Sequence, residues 1–328
     1  MPKLCDILLV RRAVVNTLPR THERSMRPTL LACLFTCLVP SAAAAVVDAG
    51  SDALPTTGYH TYAKGRHVGL PRRGILGWRK GCLDVAVANC RRSGTCHLLD
   101  LYEFGVFTGR ALKGMASYLR APPGGGPAVP IDTMWGFDSF QGIPSEESDS
   151  AAGAKYAGAA TYEKMVRGDW RAGSYNAADA LQVYSFSALI QKLRTYIGLN
   201  RTGIAGKATP LQNVRFIRGF FNESLTPSLA LSLGMRPALF VDLDVDIFSS
   251  TVQASTWLIQ SRLLQRGAVV GYDDWMGDAS NASTISFSGQ SRSHFEVLEP
   301  LLKARGLRAR RIDNPYPNAC FELVPAEQ

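Results

Sequence analysis

The amino-acid sequence predicts an α/β fold, a doubly wound sheet of seven strands that ends in an antiparallel hairpin. Three observations carry the prediction. Five apolar runs alternate with segments whose apolar residues recur at helical spacing, the pattern of strands joined by crossover helices. The runs break into glycines or acids at their carboxyl ends, where open α/β sheets gather their ligands. Two last strand candidates, 307–312 and 319–324, follow one another with no helix between them, as an antiparallel edge pair does.

The first unit begins at His97. "HLLDLYEFGVFTGRALKGMASYL" is apolar up to Glu103, turns through Gly105 and Gly109, and continues with Ala111, Leu112, Met115, Ala116 and Leu119 at helical spacing. Such a strand, glycine turn and helix let a nucleotide-bearing ligand approach the backbone and meet free amides at the helix start. After the linker "APPGGGPAVP", Met134, Trp135 and Phe137 mark a second strand, with Asp138 at its tip and Ser139, Phe140 and Gly142 beyond it. A carboxylate there can accept two hydrogen bonds at once, which suits ribose hydroxyls. An Asp that merely starts a turn is the other reading. Residues 141–180 are polar, small and aromatic by turns and longer than a connection needs, which predicts an insertion covering the site. A helix is expected over 181–197, a third strand in "NVRFIRGFF" ending at Arg218 and Gly219, and a helix over 223–233 stopped by Gly234.

The chain is organised around residues 238–275. An apolar run, 238–241, breaks into Asp242, Asp244 and Asp246; Ser249, Ser250 and Thr251 then open a helix that ends near Gly267. A fifth run, 268–270, leads to Asp273 and Asp274. A right-handed crossover sets the ends of two parallel strands side by side, so carboxylates from both meet on one rim. They repel one another unless a cation or a proton lies between them. A hard divalent ion such as Mg2+ suits an all-oxygen site of this kind. Beyond Trp275 a loop rich in Ser, Gly and Asn runs to about Ser291, and a helix over 294–304 precedes the final strands.

Composition adds limits. The 328 residues, 46% hydrophobic and 19% charged, can bury a sizeable core. Of the formal charge of +9, four come from residues 1–45, where six Lys/Arg face two acids. The rest is spread thinly, densest between Lys303 and Arg311, without aromatic interleaving or a recognition motif, so nucleic acid is not an expected partner. Residues 1–45 read as a targeting segment. "LLACLFTCLV" has signal-peptide length, lies between Arg27 and an Ala43, Ala44, Ala45 cleavage pattern, and is too short for a stable membrane span. Either Met26 is the initiator or residues 1–25 add an organelle-type presequence. A secretory or organellar location is therefore expected, the cytoplasm being the alternative. Residues 46–94 form a lead with a cap helix at 78–90, in which His60 and His67 read as solvated loop histidines. Cys82, Cys90, Cys96 and Cys320 remain after loss of the presequence cysteines, with three pairings open and an oxidising compartment suggested. Sequons at Asn200, Asn222 and Asn281 are compatible with a secretory route.

In order and spacing, "YEFGVFTG", "GFDSFQGIP", "VRFIRGFFNESL", "FVDLDVDIFSST" and "VVGYDDW" resemble the class I S-adenosylmethionine-dependent methyltransferases, and within them the macrocin O-methyltransferase group with its sugar O-methyltransferases. The resemblance covers about residues 101–323 and implies a Rossmann-like methyltransferase domain over 95–328. It implies that Glu103, Gly105 and Gly109 line the methionine end of S-adenosyl-L-methionine, Asp138 and Ser139 the ribose, and Gly219 and Phe220 the adenine side. Asp244, Asp273 and Asp274 match the acids that hold Mg2+ in metal-dependent members. The implied reaction is in-line methyl transfer to a hydroxyl of a small-molecule acceptor, with Asp244 as the base. Members often form dimers or larger assemblies, so a homo-oligomer is compatible with the resemblance. Phe107 stands where many class I enzymes carry glycine. Asp242 is a third acid that could serve a metal in place of Asp244, or face a helix and pair with an Arg. Two rival readings are a nucleotide-sugar glycosyltransferase with "DLDVD" as its metal clamp, which leaves "YEFGVFTG" and "YDDW" unexplained, and a non-catalytic binding protein on the same fold.

Overall fold

Central parallel strands are covered on both faces, so their sequences read as near-continuous apolar runs. The computed structural model describes residues 51–56, 76–122, 124–144, 172–198, 213–275, 289–312 and 318–326. The targeting segment, His60, His67, Asn200, Asn281 and residues 145–171 of the insertion lie outside the described residues. Seven strands, β1 (Asp100–Phe104), β2 (Thr133–Asp138), β3 (Asn213–Arg218), β4 (Ala238–Leu243), β5 (Val269–Tyr272), β6 (Leu307–Ile312) and β7 (Ala319–Pro325), form one sheet in the order β3-β2-β1-β4-β5-β7-β6. The first five pair in parallel, and β7 runs antiparallel to both β5 and β6. This is the doubly wound sheet with a terminal hairpin that the sequence predicts.

Successive residues of a strand face opposite sides, and here they enter two cores. Leu101 and Met134 pack with helices α1 (Arg79–Ser93), α2 (Arg110–Arg120) and, further along the chain, the helix Phe186–Ile197. Tyr102, Phe104, Trp135 and Phe137 pack with Trp257 and Leu258 on the other face. There Phe104 and Phe137 stack with ring centroids 4.5 Å apart and Trp257 meets both edge-on. Each such fully buried side chain stabilises the fold by about 1.5–3 kcal/mol.

Four helices differ from expectation, each for a local reason. The helix expected over 181–197 is two, α3 (Ala177–Leu181) and α4 (Phe186–Ile197), because Gln182 adopts a left-handed φ of 52° and the Ser185 hydroxyl starts a new helix by accepting from the Ala188 amide at 3.3 Å. The one expected over 223–233 is also two, α5 (Phe221–Ser224) and α6 (Leu229–Ser232), with Pro227 between them. Helix α7 (Phe248–Gln260) has Ile247, not a serine, at its N-cap; Ser249 and Ser250 lie inside it, and the Thr251 hydroxyl donates back to the Ile247 carbonyl at 2.8 Å. The last helical run starts earlier than 294, as α8 (Gly289–Ser293), a π turn (His294–Leu298) and α9 (Glu299–Lys303). Pro300 cannot donate to the helical ladder there, and the wider turn precedes it.

Ahead of the sheet, the short lead is tied to α4 and β3. Asp52 accepts from the Ser187 amide at 2.8 Å, and Arg218 donates to the carbonyls of Ser51 and Ala53 at 2.6 and 3.0 Å. Helix α1 lies on the sheet face, buried through Cys82, Leu83, Ala86, Val87 and Cys90. Of the three cysteine pairings left open by the sequence, the fold takes Cys82–Cys320, which joins α1 to β7, and Cys90–Cys96, which closes the turn after α1. Loop-closure entropy grows with the logarithm of the closed length, here a separation of 238 residues against 6. Replacing Cys82 and Cys320 by Ser is therefore expected to lower the unfolding free energy by about 5 kcal/mol, and replacing Cys90 and Cys96 by about 2. Guanidinium titration of the two double variants checks the order.

Candidate active site

The loops after the first five strands lean on one another through backbone bonds. The Gly105 amide donates to the Phe137 carbonyl at 2.8 Å, the Asp244 amide to Phe104 at 2.9 Å, the Gly219 amide to Asp138 at 3.1 Å, and the Asp273 amide to Leu243 at 3.3 Å. Between them lies a cavity of about 490 Å³, within the usual range for small-molecule sites. Eight of the ten residues singled out from the sequence line it: Gly105, Asp138, Ser139, Gly219, Phe220, Asp244, Asp273 and Asp274. Glu103 and Gly109 are not among the lining residues. Glu103 is buried in register with Asp242 across β1 and β4, and its Oε2 has no hydrogen-bond partner among the described residues. Gly109 is the N-cap of α2 at φ 72°, packed towards Leu193.

Of the two roles weighed for it, Asp138 displays in the fold that of starting a turn. Its Oδ1 accepts from the Phe140 amide at 2.6 Å, an Asx turn, and its Oδ2 accepts from the Phe107 amide at 2.8 Å, which fixes the glycine turn of β1 to the tip of β2. Asp138 also lines the cavity. Burial raises the Asp138 pKa, against the lowering effect of the amides of Phe107, Phe140 and Val106. Ser139 is more occupied: its hydroxyl donates to the Gly142 carbonyl at 2.9 Å and accepts from the Gln141 amide at 3.0 Å. Sequence reasoning did not assign to the site Phe107 and Tyr175, which meet edge to face at 5.7 Å in the cavity wall, or Asp246, Ser250 and Gln253 on the β4 side. Asp246 has a left-handed φ of 61°, the kind of strain that gathers at functional sites. Its place in the alternating acids was the available signal.

The acids of β4 and β5 meet as the topology requires. Asp244, Asp273 and Asp274 each offer a carboxylate oxygen, and these lie within 4.8 Å of one another. A cation already reaches them from α1. Arg79, 8% exposed, donates through Nε to Asp242, through Nη2 to Asp244 Oδ2 at 2.8 Å, and lies with Nη1 3.5 Å from Asp273 Oδ1. Of the two fates open to Asp242, pairing with an Arg is the one taken, and the fully buried Asp242 does not line the cavity. Trp78 Nε1 donates to Asp273 Oδ1 at 2.5 Å, and Asn318 Nδ2 donates to the same oxygen at 3.2 Å.

Crowding and burial shift these groups. Burial and then Asp242 raise Glu103 well above the usual carboxylate range, against Arg79. Burial pushes Asp242 up to about 6 despite Arg79. Asp244 is raised well above the usual range by burial and by Asp273, although 30% of its side-chain surface is open and solvent moderates the push. Burial also raises Asp274. The three carboxylates outweigh burial at Arg79 and raise its pKa, so it stays charged.

No protein-family model matches the chain, and no curated protein matches it. Solved structures do. The calicheamicin methyltransferase CalS11 is similar over 74% of this chain and 78% of its own, at 17% identity and a TM-score of 0.48. The O-methyltransferase NovP covers 74% and 79% at 20% identity and 0.43, and an O-methyltransferase from Bacillus cereus in complex with SAH covers 78% and 85% at 11% identity and 0.39. Likenesses of this size assign no residue and no substrate to this chain.

Proposed function

We propose that the chain is an S-adenosylmethionine-dependent O-methyltransferase acting, with Mg2+ at its acid rim, on a hydroxyl of a sugar or another small natural product. The observation that supports it best is the convergence of Gly105, Asp138, Gly219 and the acids of β4 and β5 on one cavity at the carboxyl ends of the strands. The residues fit both groups. Asp138 brings a carboxylate to the cavity for ribose hydroxyls, Gly105 and Gly219 let a ligand reach the backbone, and Asp244, Asp273 and Asp274 form a hard oxygen set. When bound, the cofactor supplies an electrophilic methyl group and the ion a Lewis acid that lowers the pKa of the acceptor hydroxyl. The chain orients the reactants between Asp138 and the acid rim, excludes water with the Phe107 and Tyr175 wall, and takes the hydroxyl proton on Asp244 or, two residues on, Asp246.

Burial of Asp242 under Arg79 takes the first acid of "DLDVD" away from the ligand, and the glycosyltransferase reading then rests on Asp244 and Asp246, which line the cavity. The proposal includes entry into an oxidising compartment, supported by the two disulfides. Among the described residues no helix is long and apolar enough to cross a membrane. Calorimetry and thermal shift test the reading. S-adenosylmethionine at about 100 times its Kd is expected to stabilise the fold by about 2.7 kcal/mol. Stabilisation by a UDP-sugar alone, with or without Mg2+, would overturn it.

A further inference from the structure

Arg79 stands where helix electrostatics would not put it. As the first residue of α1 it faces the positive end of the helix dipole, with no acid in the first turn and no side-chain cap. Burying a guanidinium is itself unfavourable unless it is paired. What holds it is the sheet: Asp242 and Asp244 from β4 and Asp273 after β5. The helix start is anchored to bring it there. Arg79 stacks on Trp78 at 4.6 Å, and the Trp78 ring lies against Gly271, where a Cβ would come within 2.8 Å of ring carbons. One turn on, Cys82 is bridged to Cys320, the register partner of Gly271. A helix tethered on both sides of Gly271 delivers one fixed positive charge to the acids.

We propose that Arg79 is the built-in counter-cation of the acid rim: it holds Asp244 and Asp273 in place without a divalent ion and weakens the binding of that ion. The inference rests on the metal part of the proposed function. An ion held by the remaining oxygens of Asp244 and Asp273 shares those carboxylates with the guanidinium, and like charges at such range repel. The ion is therefore exchangeable, and the fold does not depend on it.

Mn2+ alone is the probe, titrated by calorimetry into the full chain, with melting followed in the presence and absence of a chelator. The wild-type melting temperature is expected to stay unchanged on chelation. Arg79→Gln is expected to bind Mn2+ at least about tenfold more tightly and to melt lower once chelated. Arg79→Lys keeps the charge and is expected to stay near wild-type affinity. Should Arg79→Gln fail to fold, Arg79→Gln with Asp242→Asn removes the buried pair together and is expected to show the same tightening. Equal or weaker Mn2+ binding by the neutral variants overturns the inference, as does a wild-type chain that unfolds on chelation. If the wild type binds S-adenosylmethionine but no variant binds Mn2+, the metal reading falls and takes this inference with it. A full Arg79 effect without any response to S-adenosylmethionine sinks the methyltransferase reading and leaves the inference standing.

Discussion

Gly105→Ala is expected to leave no stably folded protein, a loss above about 4 kcal/mol. Two effects add. The residue has φ 88°, where a side chain is strained, and an added Cβ would stand 1.8 Å from the carbonyl oxygen of Asp244. That neighbour is backbone, and its own amide is bonded to Phe104, so it cannot swing aside as a side chain would. Any relief moves the glycine turn of β1 and the acid tip of β4 together. Gly109→Ala is the control. It also has a positive φ, 72°, but its Cβ would meet side-chain carbons, Leu193 Cδ2 at 3.1 Å and Ile197 Cδ1 at 3.8 Å; a loss of about 1–2 kcal/mol is expected. Urea titration of both variants checks the contrast, and similar midpoints for the two would show that the contact between the tips of β1 and β4 matters little.

This pair also shows how far sequence reading reaches. The glycine turn after β1 was legible, because an apolar run breaking into glycines before a helical pattern has few other meanings. Which glycine faces the cavity was not, because that depends on what packs across from each, and only the fold brings Asp244 to Gly105 and Leu193 to Gly109. The same limit separates the acids. Periodicity placed Asp242, Asp244, Asp273 and Asp274 at neighbouring strand ends, but the alternation of a strand cannot say that Asp242 would be claimed by an arginine 163 residues earlier. Arg79 lies in a weakly patterned stretch whose only local signals are a tryptophan and a cysteine. Helix ends slipped where one side chain decides the matter, as at Gln182 and Pro227.

Asp273→Asn is expected to lower kcat by about 10²- to 10³-fold while S-adenosylmethionine binding stays within about threefold of wild type, since half a kcal/mol or so is the usual coupling between sites without shared partners. Asn keeps the oxygen that accepts from Trp78 Nε1 and Asn318, so the rim retains its shape. What it loses is one charge and one hard oxygen of the three that lie within 4.8 Å of one another. Asp138, Gly105 and Gly219, on the side of the cavity proposed for the cofactor, are untouched. Asp244→Asn should resemble it, losing both turnover and Mn2+ binding. Asp246→Asn separates the two base candidates: loss of turnover with Mn2+ binding retained assigns the proton to Asp246, and near-normal turnover leaves it with Asp244. Full activity of Asp273→Asn or Asp244→Asn in the presence of a chelator would remove the metal from the reaction. The acid rim would then serve as the seat of Arg79 and of the proton acceptor, and orientation by the β1 turn and Asp138 would carry the remaining rate.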